Sequence, residues 1–250
     1  MENRLSNALQ AREFFLVFQP IVKIETNQTI ELDINLRWQV EEYRIAYPSQ
    51  FLSVIDDIGL LPDLYDWIID TTLSSLRRWN QEGIKIYLNL NLSLKYLLQP
   101  SALDFLADRL KFYNIDPNFI FISITEQDVI KYSAKLDDID QKLANLGISI
   151  LLDDFGQSEA SIKNLRRLKF HSVKLDRSLI RDIENTDLDA HIIEGIISLI
   201  NQMNMGSIAK GVENEKQLEL IKSYQCQYAQ GYLLGDPMNE NQTRQFLLEN

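Results

Sequence analysis

The chain holds a single cysteine, Cys226, among its 250 residues. That excludes a disulfide framework and suits a reducing compartment, so a cytoplasmic location is expected. Cys226 precedes an apolar segment and reads as core filler rather than a nucleophile. Histidine is nearly as scarce: His171 and His191 stand too far apart for any metal-ligand spacing. No apolar run reaches the roughly 18 residues of a membrane span. Met1-Glu2-Asn3-Arg4 opens without the apolar core of a signal peptide. Basic charge is also short, with 25 Lys and Arg against 36 Asp and Glu, a formal net charge of -11. Such a balance argues against a nucleic-acid partner and against attachment to anionic lipid.

What is present is enough apolar residue, 45%, for a substantial core. Residues 1–13 read as a short leading helix. Phe14 to Val22 is rich in aromatic and β-branched residues and reads as a strand. Glu25-Thr26-Asn27-Gln28 is a polar turn, and Thr29 to Trp38 returns as the second arm of a hairpin. On that arm Leu32, Ile34, Leu36 and Trp38 share one face, while Asp33, Asn35 and Arg37 share the other. Apolar residues outside and polar residues inside suit a barrel wall covered by helices. Gln39 to Ser49, with Glu41, Glu42, Tyr43 and Arg44, reads as an irregular connection. Phe51 to Trp79 reads as helices broken near Gly59 and Pro62.

From residue 84 onward strands alternate with helices. The strands are 84–91, 119–126, 149–154, 172–176, 207–212 and 228–234. The helices are 103–113, 136–146, 162–168, 192–203, 216–224 and 241–248. No Pro/Gly/Ser-rich linker or repeat divides the chain. A single α/β barrel of about eight strands over residues 1–250 is expected, with 14–250 as the barrel proper. Trp67, Trp79 and Met203 read as core, and Asp56-Asp57 and Asp137-Asp138 as solvated helix faces.

The chemistry converges on Asp153-Asp154. Apolar Ser149-Ile150-Leu151-Leu152 ends in these adjacent carboxylates, and Phe155-Gly156-Gln157 reads as the turn. In α/β barrels the C-terminal strand ends carry the chemistry. Paired acids there suggest divalent metal or phosphate chemistry. Other strand ends supply Asp33, Asn91, Ser123, Lys174, Lys210 and Gln230. The inward asparagines Asn89 and Asn91 require polar partners, because an unpaired buried polar group costs about 1–3 kcal/mol.

Eight segments, taken in order, resemble the EAL-domain family of cyclic di-GMP phosphodiesterases. They are Phe18-Gln19-Pro20-Ile21-Val22, Leu36-Arg37-Trp38, Asn91-Leu92-Ser93, Ile124-Thr125-Glu126, Asp153-Asp154-Phe155-Gly156, Val173-Lys174-Leu175-Asp176-Arg177-Ser178, Gly211-Val212-Glu213 and Gln230-Gly231-Tyr232. The resemblance covers about residues 14–248. It implies a (β/α)8 TIM-like barrel whose first strand runs antiparallel to the next. It also implies phosphodiester hydrolysis by water activated between two divalent cations, assisted by a lysine. Asn91, Asp153, Asp154, Lys174, Glu213 and Gln230 occupy family positions, and Gln19 and Arg37 resemble the ligand-contacting pair.

Three positions depart from that pattern. The family's Glu-Ala-Leu is Asp33-Ile34-Asn35, the glutamate ahead of Ile124-Thr125-Glu126 is Ser123, and the first glutamate of Glu-Gly-Val-Glu is Lys210. The loop Thr-Gly-Tyr-Ser-Ser is Gln157-Ser158-Glu159-Ala160-Ser161. Asp33 is a methylene shorter than Glu, Ser123 is a weak neutral ligand for hard cations, and Lys210 brings an ammonium. The site is about three charge units more positive than its family counterpart. The expectation is therefore a degenerate, standalone EAL chain with no stable Mg or Mn site, no hydrolysis, and Lys210 bridging Asp153 and Asp154. Its function would be regulatory, through a protein partner. A non-hydrolysing receptor holding cyclic di-GMP through Gln19, Arg37, Lys174 and Lys210 is the second reading. A residual phosphodiesterase with one metal on Asn91 and Asp153 is the third. A homodimer surface on the helices is compatible with all three.

Overall fold

The computed structural model describes residues 2–41, 44–157, 165–166 and 168–249. The strands among them are β1 (Phe14–Lys23), β2 (Gln28–Glu41), β3 (Arg44–Ala46), β4 (Tyr87–Asn91), β5 (Ile120–Thr125), β6 (Ser149–Phe155), β7 (Ser172–Leu175), β8 (Gly206–Lys210) and β9 (Tyr228–Gln230). The sheet runs β1-β9-β8-β7-β6-β5-β4-β2-β3, and a further β1–β2 pairing closes it into an eight-stranded barrel with β3 appended to β2. β1 is antiparallel to both neighbours, β2 and β9. The other barrel pairs are parallel. The α/β barrel with an antiparallel first strand, expected from the sequence, is the observed fold.

Alternation along the strands builds two separate apolar layers. The outward residues of β2, Leu32, Ile34, Leu36 and Trp38, join Leu88 and Leu90 of β4 under the surrounding helices. Helix Leu61–Gln81 packs Trp79 edge-on against Phe18 of β1, with ring centroids 5.1 Å apart. Each such side chain contributes about 1.5–3 kcal/mol by leaving water. Inside the barrel, Ile21, Phe121, Leu151 and Ile208 form a small apolar plug. Each lies two residues from a polar inward residue of its own strand: Gln19, Ser123, Asp153 and Lys210 respectively. Because the side-chain period of a strand is two, the plug is the floor beneath a polar layer at the barrel mouth.

Several boundaries differ from those read in the sequence. The connection after Trp38 is not irregular throughout: β2 continues to Glu41, β3 folds back on it, and a helix begins at Pro48. Proline at the first helical turn is favourable there. Glu42 and Tyr43 lie outside the described residues, as do Ser158, Glu159, Ala160 and Ser161 and most of the helix expected over 162–168. The last strand ends at Gln230, not 234. A Cβ at Gly231 would meet the Val212 carbonyl oxygen at 2.0 Å, so the chain turns there with the backbones in contact. Short helices Glu126–Lys131 and Arg177–Asp182, missed in the sequence, start at Thr125 and Asp176 caps immediately after β5 and β7. One or two turns is too short for helical periodicity to register.

Candidate functional site

Asp33 sits on β2, opposite Gln19 of β1 and Asn89 of β4. Lys174 of β7 reaches across the barrel to donate to its Oδ1 at 2.7 Å. Asn89 and Asn91 donate to the same oxygen at 2.8 and 3.3 Å. Asn35 and Gln230 each donate to Oδ2 at 3.1 Å. Burial pushes the Asp33 carboxyl up, but Lys174, Lys210 and these hydrogen bonds outweigh it and hold it down at about 2. Lys174 is fully buried. Burial disfavours its ammonium, yet Asp33, Asp153 and Glu31 more than compensate and raise its pKa.

A second ion cluster lies nearer solvent. Lys210, the last residue of β8, donates to Asp153 Oδ1 at 2.6 Å and to Asp154 Oδ1 at 2.7 Å. Adjacent residues of a regular strand point to opposite faces. Here the β6–β7 register shifts between Leu152 and Phe155, and Asp154 adopts φ +54°. That irregularity lets both acids approach one ammonium. Aspartate tolerates the left-handed region better than most residues, though at some strain. Burial and the neighbouring Asp153 push the Asp154 carboxyl up, against the Lys210 ammonium. Lys210 itself is raised, because Asp153, Asp154 and Asp33 outweigh its burial.

Asp33, Asp153, Asp154 and Lys210 line a cavity of about 420 Å³ at the mouth. Gln19, Asn35, Asn91, Ser123 and Gln230 give it polar walls, and Leu16, Leu36, Leu52 and Ile68 apolar ones. Gln19 links the layer to the loop after β9, accepting from Gln230 at 2.9 Å and donating to the Gly235 carbonyl at 3.1 Å. Ser123 Oγ is buried with no hydrogen-bond partner.

Of the residues singled out in the sequence, Gln19, Asp33, Asn91, Ser123, Asp153, Asp154, Lys174, Lys210 and Gln230 come together. Arg37 and Glu213 do not join the ionic layer. Arg37 is half-buried, donates to the Leu36 carbonyl and stacks on the exposed ring of Tyr47 at 4.6 Å. Glu213 is exposed beyond β8, where its amide is held by Gln217. One buried acid was missed. Glu31 lies beside Ile21 in the apolar plug, with Oε1 unpartnered, and burial raises its carboxyl to about 8. Extending the polar face of β2 back by two residues from Asp33 identifies it.

A divalent cation needs carboxylate oxygens free to coordinate it. Asp33 already accepts from five donors, and Lys210 holds an oxygen of each of Asp153 and Asp154. Position 123 offers only a hydroxyl. Among the described residues no group of three or more His, Cys, Asp or Glu side chains is arranged to hold a metal ion. As arranged, these residues do not fit the divalent cations that the resemblance implies.

Comparison with known proteins places this geometry. The EAL domain family matches residues 2–237. MucR of Pseudomonas aeruginosa, a bifunctional diguanylate cyclase/cyclic di-GMP phosphodiesterase, is 29% identical over 239 residues, 95% of this chain and 35% of that protein. The cyclic di-GMP phosphodiesterase NbdA of the same organism is 27% identical over 248 residues, 99% of this chain and 32% of that protein. The solved PaMucR phosphodiesterase in complex with c-di-GMP superposes with a TM-score of 0.90 at 28% identity, covering 96% of this chain and 98% of that one. The chain spans about a third of the length of the curated relatives it matches. These relatives correct the expectation that the chain is not an enzyme. The proteins it matches along nearly its whole length include named phosphodiesterases. No described helix is long and apolar enough to cross a membrane. By fold, by the order of its strand-end residues and by the match over residues 2–237, the chain belongs to the EAL domain family.

Proposed function

We propose that the barrel mouth binds cyclic di-GMP and that the chain serves in cyclic di-GMP signalling. The observation that carries this reading is the mouth itself: a cavity of about 420 Å³ with the Lys210 ammonium at its base and amide donors and apolar side chains on its walls. An ammonium and neutral amides suit phosphodiester oxygens and guanine edges. The apolar wall suits the faces of flat bases. The solved relative quoted above, the PaMucR phosphodiesterase, is itself in complex with c-di-GMP. Arg37, stacked on Tyr47, follows Asn35 and Leu36 of the cavity wall in sequence, and its guanidinium suits contact with a guanine base. The homodimer and protein-partner expectations concern surfaces outside this mouth.

Calorimetric titration of cyclic di-GMP into the protein tests the reading, with chromatographic detection of linear products run on the same samples. Saturable binding is expected, weakened about tenfold or more in Arg37→Ala, which corresponds to roughly 1.4 kcal/mol. Absence of binding at ligand concentrations near 1 mM, where the binding energy is only about 4 kcal/mol, would refute it. Linear product, if it forms, identifies the bound ligand as a substrate.

A further inference from the structure

We propose that the Lys210 ammonium is a tethered cation. It takes the place of a divalent ion on the Asp153–Asp154 pair and presents its remaining N–H to a phosphodiester oxygen, so that nucleotide binding is independent of divalent metal. This rests on the reading of the mouth as a cyclic di-GMP site. Two adjacent carboxylates beneath a cavity repel an anionic ligand, and some cation must stand between. Lys210 stands there, nearly equidistant from both acids at 2.6 and 2.7 Å. Its ammonium carries three donors, of which the acids use two. The side chain is 21% exposed and lines the cavity, so the third donor is reachable from the mouth. The backbone irregularity at Asp154 turns both acids toward one point, an arrangement that a single shared cation satisfies. Ser123 on β5, in register with Leu151 two residues before Asp153 on β6, adds no further charge for a second ion, and its buried hydroxyl holds nothing. Charge pairing agrees: Asp33 faces Lys174, Asp153 and Asp154 face Lys210, and Asp128, the remaining carboxylate lining the cavity, accepts from the Leu94 amide.

The test separates metal uptake from nucleotide binding. Mn²⁺ is titrated without nucleotide and its free fraction read by electron paramagnetic resonance, for the wild type, Lys210→Glu and Lys210→Gln. Cyclic di-GMP is then titrated with EDTA or with Mn²⁺. The wild type is expected to take up no Mn²⁺ and to bind nucleotide with affinities that agree within about twofold in the two media. Lys210→Glu is expected to take up Mn²⁺ and to melt at a higher temperature in its presence. Lys210→Gln is expected to lose about tenfold or more in nucleotide affinity in EDTA. If Lys210→Glu does not fold without metal, Mn²⁺ uptake by Lys210→Gln supplies the same comparison. Stoichiometric Mn²⁺ uptake by the wild type, abolished in Asp153→Asn, would overturn the proposal. So would a wild-type nucleotide affinity that rises about tenfold or more with Mn²⁺. If no medium gives nucleotide binding, the cyclic di-GMP reading fails, while Mn²⁺ uptake still decides whether Lys210 excludes the ion.

Discussion

Asp33→Asn is expected to destabilise the protein by about 3–5 kcal/mol, as is typical when one partner of a buried ion pair is removed. The substitution leaves the Lys174 ammonium, fully buried, without its contact at 2.7 Å. Its next carboxylate, Asp153, lies 4.0 Å away. The asparagine also turns a donor toward Asn35, Asn89 or Gln230, all of which donate to Asp33 in the native protein. Urea unfolding measures the loss as a fall in midpoint at unchanged slope. Adding Lys174→Met to Asp33→Asn is expected to recover part of it, because an apolar replacement removes the stranded charge. The pH dependence has a definite sign. Asp33 is held at about 2, below the ordinary value of 3.8. Its stabilisation is therefore present above pH ~4 and is lost as pH falls toward about 2. A wild-type-to-variant difference below about 1 kcal/mol at neutral pH would mean that Asp153 takes over Lys174.

Glu31→Gln is expected to act in the opposite direction. Glu31 is buried beside the apolar plug, and burial, with Asp33 and Asp153 nearby, raises its carboxyl from 4.5 to about 8 against the pull of Lys174. Between those values the folded protein holds a proton that the unfolded chain has released. Stability consequently falls as pH rises, by about 1.4 kcal/mol per unit, and levels off above about 8. At neutral pH the accumulated penalty is on the order of 3 kcal/mol. The glutamine carries no such penalty, so the variant and wild type converge near pH 4 and diverge upward, with the variant more stable. Chemical denaturation at several pH values reads this directly. A difference that does not change with pH would show that Glu31 does not titrate in the folded state.

The barrel was legible because its local patterns are strong. Period-two alternation over Leu32 to Trp38 separated a helix-facing side from an inward side, and the structure buries the first in the outer core while Asp33 and Asn35 of the second line the mouth. The hairpin of β1 and β2 is local, and its turn sequence announces it. The short helices after Thr125 and Asp176 were not legible, because a capping side chain identifies a start but one turn shows no period. Arg37 and Glu213 were legible as motif positions. Yet a motif fixes a residue's place in the chain, not where its side chain finds a partner. Arg37 finds Tyr47, and Glu213 lies in solvent.

Asp153-Asp154 shows the division most clearly. The sequence by itself determined that two acids stand at a strand's C-terminal end, that Lys210 stands at another, and that Asp33 faces inward. Those facts follow from alternation and chain order, which are local. Only the tertiary structure decided the pairings. Lys174 goes to Asp33, 141 residues away, and Lys210 goes to the acid pair, 57 and 56 residues away. Barrel closure through β1, strand register and the irregularity at Asp154 set those distances. Each is a property of the closed sheet, and no single stretch of chain encodes it.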